Sequence, residues 1–185
     1  MQKGLLRLND EQLHWLEGRI NIIDVQRGCP VQCITCGVSA PKYSGSMAWS
    51  DYMVLSNSIL DVKEQKGIDI FVNEKIYPFW SSDPMYYHSI DGTKERTIYD
   101  IVVDLSSRHK KRTGLTTAGW KSDNDFMQRA IENIGNYGFT YANFDFFYSV
   151  KTVSRRVMNE YDSFLKKSEN NIVNDAEFIM SSNYV

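Results

Sequence analysis

The sequence predicts an α/β fold, a partial (βα) barrel similar to a TIM barrel with about five to six parallel strands. Apolar and β-branched runs alternate along the chain with segments in which apolar residues recur every three or four positions, as strands and amphipathic helices require. Repeated βα units with right-handed crossovers build a parallel sheet. Because the chain stops soon after a predicted strand, where a covering helix is expected, we expect a short barrel or a sequence truncated at its C-terminus.

The chain of 185 residues is predicted to hold one domain behind a short extension. A polar opening with a short helix over residues 9–17 assigns residues 1–18 to an N-terminal extension. The apolar segment 19–25 predicts the first buried strand. Residues 19–185 are therefore assigned to the barrel domain.

The first βα unit continues into a helix and a second strand. The helix is predicted to be capped by Ser50 and to end at Gly67. Its inward face is formed by Tyr52, Leu55, Ile59 and Val62. Residues 68–80 predict the second strand, which ends at Ser-Ser-Asp-Pro because proline cannot continue a ladder.

The same alternation extends to the end of the chain. Further helices are predicted by the apolar face of Ile98, Ile101, Val102 and Leu105, over residues 123–137 with Phe126, Ala130, Ile131 and Ile134 inward, and by Val157, Tyr161, Phe164 and Leu165. Strands are predicted at residues 114–120, 139–150 and 176–180.

Composition excludes several classes of partner. The chain carries 21 basic and 23 acidic side chains, so a nucleic acid is not an expected partner. The basic run at residues 108–112 follows a predicted helix, where cations suit the helix dipole. The N-terminus lacks the apolar core of a signal peptide, and no apolar run approaches the length of a membrane span. We therefore expect a cytoplasmic protein that does not bind a membrane.

The 3 cysteines of the chain, Cys29, Cys33 and Cys36, follow the first predicted strand with the spacing Cys-x3-Cys-x2-Cys. In a reducing compartment an odd number of clustered thiols indicates metal or redox chemistry rather than a disulfide framework. Three thiolates without a fourth suit a [4Fe-4S] cluster in which the protein holds three irons. The remaining iron is open to another ligand.

Zinc and an electron-transfer cluster are the alternative interpretations. Structural zinc normally takes four ligands, and none of the histidines, His14, His88 and His109, has metal-ligand spacing to the cysteines. Folding could still bring one of them near. An electron-transfer ferredoxin needs a fourth cysteine for each cubane cluster. The sequence therefore favours a cluster with an open iron.

Polar residues follow each of the first four predicted strands. The cysteine segment follows the first, residues 81–84 the second, residues 116–119 the third and residues 149–152 the fourth. In parallel α/β sheets, sites lie at the carboxyl ends of the strands. All four segments are therefore predicted to face one rim.

The cysteine spacing directly after a first strand resembles the signature of the radical S-adenosylmethionine superfamily. The second strand of that family often ends in a Gly-Gly-Glu-Pro-like motif that receives the amino group of the methionine moiety. In this chain Ser81, Ser82 and Asp83, followed by proline, likewise come at the end of the predicted second strand. The resemblance thus implies that these three residues bind the cofactor.

Three further cofactor contacts are implied by the same resemblance. Residues 115–120 resemble the Thr-Asn-Gly region of the third strand, which implies a role for Thr117. Ser149 and Lys151 lie where members place polar contacts to the ribose or the carboxylate. Many members carry an aromatic residue just before the third cysteine, whereas this chain has Thr35. Adenine packing is then expected from Ile34, Val38 or Trp80.

The resemblance implies an enzyme that binds a [4Fe-4S] cluster and S-adenosylmethionine and cleaves the latter reductively. The resulting 5′-deoxyadenosyl radical abstracts hydrogen from a substrate, which could be a natural product, another small molecule, a peptide, a nucleotide or a glycyl-radical partner. An electron donor such as flavodoxin or ferredoxin is the implied partner. His88 is either an acid or base near substrate or a surface residue. The alternative function is a non-catalytic iron–sulfur or zinc-bearing interaction domain on the same fold.

Overall fold

The computed structural model describes residues 7–31, 36, 39–72, 75–117, 124–136, 142–149 and 178–181, to which all structural statements refer. Helices alternate with strands along much of this part of the chain. The elements are α1 (Asp10–Leu16), β1 (Gln26–Arg27), β2 (Gly45–Ser46), α2 (Trp49–Lys66), β3 (Lys75–Ile76), β4 (His88–Asp91), β5 (Lys94–Thr97), α3 (Ile98–Ser107), β6 (Arg112–Thr117), α4 (Asp125–Asn136), β7 (Ala142–Ser149) and β8 (Phe178–Ser181).

Helix α1 confirms the predicted N-terminal helix, and its first turn is fixed by a capping box. The side chain of Asn9 accepts the backbone N–H of Gln12 at 2.8 Å, and the side chain of Gln12 accepts the backbone N–H of Asn9 at 3.0 Å. Two of the backbone donors that a helix start leaves unpaired are thereby satisfied.

Helix α2 confirms the predicted second helix but begins differently. Gly67 ends it with φ 70°, a left-handed conformation that glycine adopts without strain. The capping position is Ala48, which has no side-chain cap, so the prediction of Ser50 as the cap is wrong. Ser50 lies in the first turn. The predicted inward residues Tyr52, Ile59 and Val62 are buried.

Helices α3 and α4 confirm two more predictions. Thr97 and Asp100 form a capping box at the start of α3. The predicted inward face, Ile98, Ile101, Val102 and Leu105, is no more than 1% exposed. On α4, Ala130 is fully buried as predicted. The predicted helix around residues 157–165 lies outside the described residues.

The largest sheet has four parallel strands in the order β3-β6-β7-β8. Each strand lies within or overlaps a segment predicted as a strand, but β3 covers only Lys75–Ile76 of the predicted 68–80. Thr117 pairs with Phe146, and Ser149 pairs with Ser181. The carboxyl ends of these strands therefore lie along the same edge.

The prediction of a barrel with about five to six parallel strands is wrong. Segment 19–25 forms no strand in the described residues. It contacts the chain around Phe71 and Tyr77 through the isolated bridges Ile20–Phe71 and Ile22–Tyr77 and through backbone hydrogen bonds. The other strands pair antiparallel, β1 with β2 and β4 with β5. The β4–β5 hairpin turns through a two-residue loop that starts at Gly92, whose φ of 62° suits such turns. Within the described residues the parallel sheet therefore has four strands, and segment 19–25 is not one of them.

Among the described residues, the hydrophobic core joins α1, α2, α3 and α4 to the strands β3 and β6. Its largest fully buried side chains are Tyr52, Tyr87, Leu13, Ile76, Met85, Ile98, Ile101 and Leu105. In the part of the chain described above, no helix has the length and apolar character needed to cross a bilayer.

Candidate functional site

The segment that carries the cysteines is a loop closed at its neck. Strands β1 and β2 pair antiparallel across the neck, with Gln26 opposite Ser46 and Arg27 opposite Gly45. The backbone N–H of Cys29 donates to the carbonyl of Pro41 at 2.9 Å, which continues the closure beyond the two strands. The two ends of the cysteine loop, residues 28–44, are thus held together by backbone hydrogen bonds.

Gly28 permits the close crossing at this neck. Its φ is 75°, and a Cβ at this position would overlap the carbonyl oxygen of Lys42. Only glycine fits where the backbone is both left-handed and this close to another chain segment. The sequence therefore places a glycine directly before the first cysteine for a structural reason.

Two of the predicted metal ligands, Cys29 and Cys36, are partly buried and form no disulfide. The sulfur of Cys36 accepts the backbone N–H of Ala40 at 3.2 Å. Hydrogen bonds to sulfur stabilise thiolates and tune sulfur-ligated clusters. Cys33 lies outside the described residues, so the predicted trio stays a prediction. Among the described side chains alone, no three His, Cys, Asp or Glu residues are arranged to hold a metal.

Asp83 and Thr117, predicted from the ends of two different strands, lie in direct contact. The hydroxyl of Thr117 lies 2.9 Å and 3.0 Å from the two carboxylate oxygens of Asp83, to which it donates. Asp83 is 4% exposed and Thr117 is fully buried. The structure thus brings together two residues that are 34 positions apart in the sequence.

The Asp83 carboxylate also shapes its own turn. It accepts the backbone N–H of Met85 at 3.0 Å and so caps the short 3-10 helix Pro84–Tyr86. The residue that follows the predicted second strand therefore has a local structural role.

Ser81 and Ser82 differ although they are neighbours. The hydroxyl of Ser81 donates to Asp24 at 2.8 Å, which ties it to segment 19–25. The hydroxyl of Ser82 is buried and has no hydrogen-bond partner among the described residues. A buried hydroxyl without a partner is uncommon in native proteins and suits the polar group of a ligand.

The remaining predicted contacts are less defined. Ser149 is the last residue of β7, at the same edge of the sheet as Thr117, while Lys151 lies outside the described residues. Of the residues expected to pack on adenine, Ile34 and Val38 also lie outside them. Trp80 is 51% exposed beside Ser81 and stands edge-on to Tyr77.

Gln26 and Tyr86 contact the candidate site but were not predicted from the sequence. Gln26 is 1% exposed and donates to the backbone carbonyl of Asp83 at 3.2 Å. Burial raises the pKa of Tyr86, and the negative charges of Asp83 and Cys29 raise it further. Both halves of the site therefore act on the pKa of the Tyr86 hydroxyl. A polar residue at the end of an apolar run, two positions before Gly28, was the available signal for Gln26.

His88 is placed at the surface. Its Nε2 lies 3.1 Å from a carboxylate oxygen of Glu95 on the neighbouring strand, and its ring stands edge-on to Phe126. About half of its side chain is exposed. Of the two interpretations of His88, this geometry favours the surface residue.

The described side chains include donor types that a sulfur-ligated cluster with a polar organic ligand needs. Cys29 and Cys36 carry thiols, and the Cys36 sulfur accepts an N–H. The unpartnered hydroxyl of Ser82 and the carboxylate of Asp83 provide groups that can bind an amino group. In comparisons with known proteins, no protein-family model, no curated protein and no solved structure significantly matches this chain.

Proposed function

We propose that the protein is a radical S-adenosylmethionine enzyme. The observation that carries this proposal is the Cys-x3-Cys-x2-Cys loop, closed at its neck and hydrogen-bonded through Gln26 to the Asp83 turn. A three-thiolate site with an open iron needs a nearby polar group for the fourth ligand's substituents. The contact between Asp83 and Thr117 supports such a group at this edge.

Each proposed side chain has a role that its chemistry allows. Cys29, Cys33 and Cys36 would hold a [4Fe-4S] cluster, which with bound S-adenosylmethionine supplies a 5′-deoxyadenosyl radical for hydrogen abstraction. Asp83 and Ser82 would bind the amino group of the cofactor. Thr117 keeps the Asp83 carboxylate in one orientation through its hydroxyl.

Ser81, Ser149 and Lys151 are proposed as contacts to the remaining polar groups of the cofactor. Ser81 in its present position donates to Asp24, so binding through its hydroxyl would require that bond to be exchanged. The exposed ring of Trp80 is adjacent in sequence and offers a face for adenine.

The proposal implies particular partners and a location. Reductive cleavage needs an external one-electron donor, such as flavodoxin or ferredoxin, and a substrate with an abstractable hydrogen. That substrate is a natural product, another small molecule, a peptide, a nucleotide or a glycyl-radical partner protein. A cytoplasmic location suits three thiols that must stay reduced.

Anaerobic reconstitution with iron and sulfide tests the proposal. The reconstituted and reduced protein should convert S-adenosylmethionine to 5′-deoxyadenosine, measured by liquid chromatography with mass spectrometry. Cys33→Ala should abolish the product and lower the iron content, since one thiolate ligand is lost. Ser44→Ala is the matched control, because the exposed Ser44 hydroxyl on the same loop contacts only the Arg27 carbonyl in the described hydrogen bonds. A fully loaded protein that neither binds nor cleaves S-adenosylmethionine contradicts the proposal.

A non-catalytic metal-bearing interaction domain is the second candidate. It is favoured by the Asp83 carboxylate, which already caps a turn and accepts Thr117. Metal analysis of protein purified without reconstitution is the first test. Zinc without iron or sulfide supports a zinc-bearing interaction domain. Iron with acid-labile sulfide fits both the enzyme and an iron–sulfur interaction domain, and formation of 5′-deoxyadenosine then distinguishes these two.

A further inference from the structure

Gln26 connects the two halves of the candidate site. It lies on β1 at the neck of the cysteine loop and is 1% exposed. Its amide oxygen accepts the hydroxyl of Ser46 on β2 at 3.0 Å, and its amide nitrogen donates to the carbonyl of Asp83 at 3.2 Å. The side chain of this β1 residue therefore contacts both β2 and the backbone of the Asp83 turn.

The connection continues to the surface of the loop. Because Ser46 donates its proton to Gln26, the hydroxyl of Tyr43, which lies 3.2 Å from Ser46, is the donor in that contact. Tyr43 is 42% exposed. A chain of three polar side chains thus runs from the cysteine loop to the Asp83 carbonyl.

The same carbonyl belongs to the 3-10 helix that Asp83 caps. It accepts the backbone N–H of Tyr86 at 3.3 Å in addition to the amide of Gln26. The side chain of Asp83 is held separately by Thr117. Gln26 therefore fixes the backbone of the turn relative to the loop, while Thr117 fixes the direction of the carboxylate.

We propose that Gln26 is a positioning residue that sets the separation between the cysteine loop and the Asp83 turn. This inference rests on the proposed function, in which the loop holds the cluster and the turn holds the amino group of S-adenosylmethionine. In this proposal Gln26 contacts neither the cluster nor the amino group of S-adenosylmethionine. Its loss should therefore weaken binding of S-adenosylmethionine but leave iron loading intact.

Gln26→Met tests this role because methionine keeps the length and volume of the side chain but removes both hydrogen bonds. Gln65→Met is the matched control, since Gln65 is exposed on α2. Ser46→Ala removes the hydrogen bonds of the Ser46 hydroxyl to Gln26 and Tyr43 and leaves the contact between Gln26 and Asp83. It serves as a milder variant that decides the question if Gln26→Met does not fold.

Three measurements are made on each protein. Hydrogen–deuterium exchange of the apoprotein reports on residues 81–87, iron and sulfide analysis reports cluster loading, and titration of the cluster's electron paramagnetic resonance signal reports the Kd for S-adenosylmethionine. For Gln26→Met we expect exchange at residues 81–87 to rise about tenfold and the Kd to rise about tenfold, as loss of one buried hydrogen bond allows. Ser46→Ala should raise both about threefold, roughly half that free energy. Iron loading should equal that of the wild type, and Gln65→Met should change nothing.

The outcomes separate the two hypotheses. Unchanged exchange at residues 81–87 in the Gln26 and Ser46 variants overturns the positioning role. So does iron loading that falls in proportion to affinity, because it indicates a general loss of structure. If the loaded wild type does not bind S-adenosylmethionine while Gln26→Met still speeds exchange, the proposed function fails and the structural link through Gln26 stands.

Discussion

Two buried aspartates, Asp83 and Asp104, are almost equally hidden but are surrounded differently. They are 4% and 5% exposed. Asp104 joins α3 to α2, where it accepts the hydroxyls of Tyr52 at 2.8 Å and Ser56 at 2.6 Å and the guanidinium of Arg108 at 2.7 Å. The hydrogen bonds described for the Asp83 carboxylate come from neutral donors, beside the unpartnered hydroxyl of Ser82.

This contrast shows that burial and hydrogen bonding alone do not identify a functional carboxylate. A buried charge with a cation and two hydroxyls is satisfied, and it stabilises the helix pair that encloses it. The Asp83 carboxylate lies next to a buried hydroxyl, that of Ser82, which has no partner among the described residues and suits a polar ligand. We therefore expect changes at Asp104 to affect stability and changes around Asp83 to affect binding.

Asp104→Ala should have the largest effect. The substitution removes the acceptor of two buried hydroxyls and the partner of Arg108, so the free energy of unfolding should fall by about 3–5 kcal/mol. Urea unfolding followed by circular dichroism measures it. Glu64→Ala on the exposed side of α2 is the control and should stay within about 0.5 kcal/mol of the wild type. A loss below about 1 kcal/mol for Asp104→Ala would remove the contrast between the two aspartates.

Gly28 at the neck of the cysteine loop and Gly67 at the end of α2 extend the comparison to the backbone. Gly28→Ala should lower the free energy of unfolding by about 3 kcal/mol, because a left-handed backbone and an overlap with Lys42 act together. Gly67→Ala at the end of α2 should lower it by about 1–2 kcal/mol, since a Cβ there meets nothing within 4 Å. Equal losses in urea unfolding would show that the neck relaxes around the added methyl group.

Acid should destabilise the Asp104 region through His109. Burial is the main cause that lowers the pKa of His109 from 6.5 to about 4, although the charge of Asp104 opposes it. The further charges that act on it are Arg108, Asp69 and Lys63. The unfolded chain binds a proton near pH 6.5 and the folded protein only near pH 4, so the contribution of neutral His109 is complete above pH 6.5 and is lost as the pH falls towards 4.

The pH dependence of the free energy of unfolding measures this contribution, which should be on the order of 2 kcal/mol. His109→Gln should flatten the profile between pH 6.5 and 4. The control His14→Gln changes an exposed side chain and should leave the profile as in the wild type. A profile that His109→Gln does not alter contradicts the assignment to His109.

Two threonines on β6, Thr117 and Thr113, provide the comparison with the smallest expected effect. Both Thr117 and Thr113 are fully buried, but Thr117 donates to Asp83 while the hydroxyl of Thr113 has no partner among the described residues. Thr117→Val should lower the free energy of unfolding by about 1–2 kcal/mol, because the Asp83 carboxylate loses a donor. Thr113→Val should be neutral or stabilising, since it removes an unsatisfied hydroxyl. The opposite order in thermal unfolding would contradict the described hydrogen bonds.

The sequence predicted the helices better than the strands. Apolar periodicity located α2 and α3, and Gly67 marked the end of α2, because these signals are local. Pairing of segment 19–25 depended on distant residues, and its apolar run did not reveal that only Ile20 and Ile22 would form bridges. The β4–β5 hairpin was missed because its strands are polar, although Asp91-Gly92 was a turn signal.

The candidate site was predicted only in part, because some of its contacts depend on pairing between distant segments. Placing residues at the ends of successive strands correctly implied that Asp83 and Thr117 lie together. Gln26 could not be found this way, because its role depends on the reversal of β1 onto β2 and not on a strand end. The prediction that Cys29, Cys33 and Cys36 bind a cluster stays a prediction.

The closed neck also makes the cysteine loop a separable unit of the chain. Because Arg27 is paired with Gly45, the interior of the loop can change in length without moving the chain on either side. Doubling the length of such a loop costs only about 0.6 kcal/mol in closure entropy. Residues 39–41 are where we expect an insertion to be tolerated least, because the Ala40 N–H donates to the Cys36 sulfur and the Pro41 carbonyl accepts the Cys29 N–H.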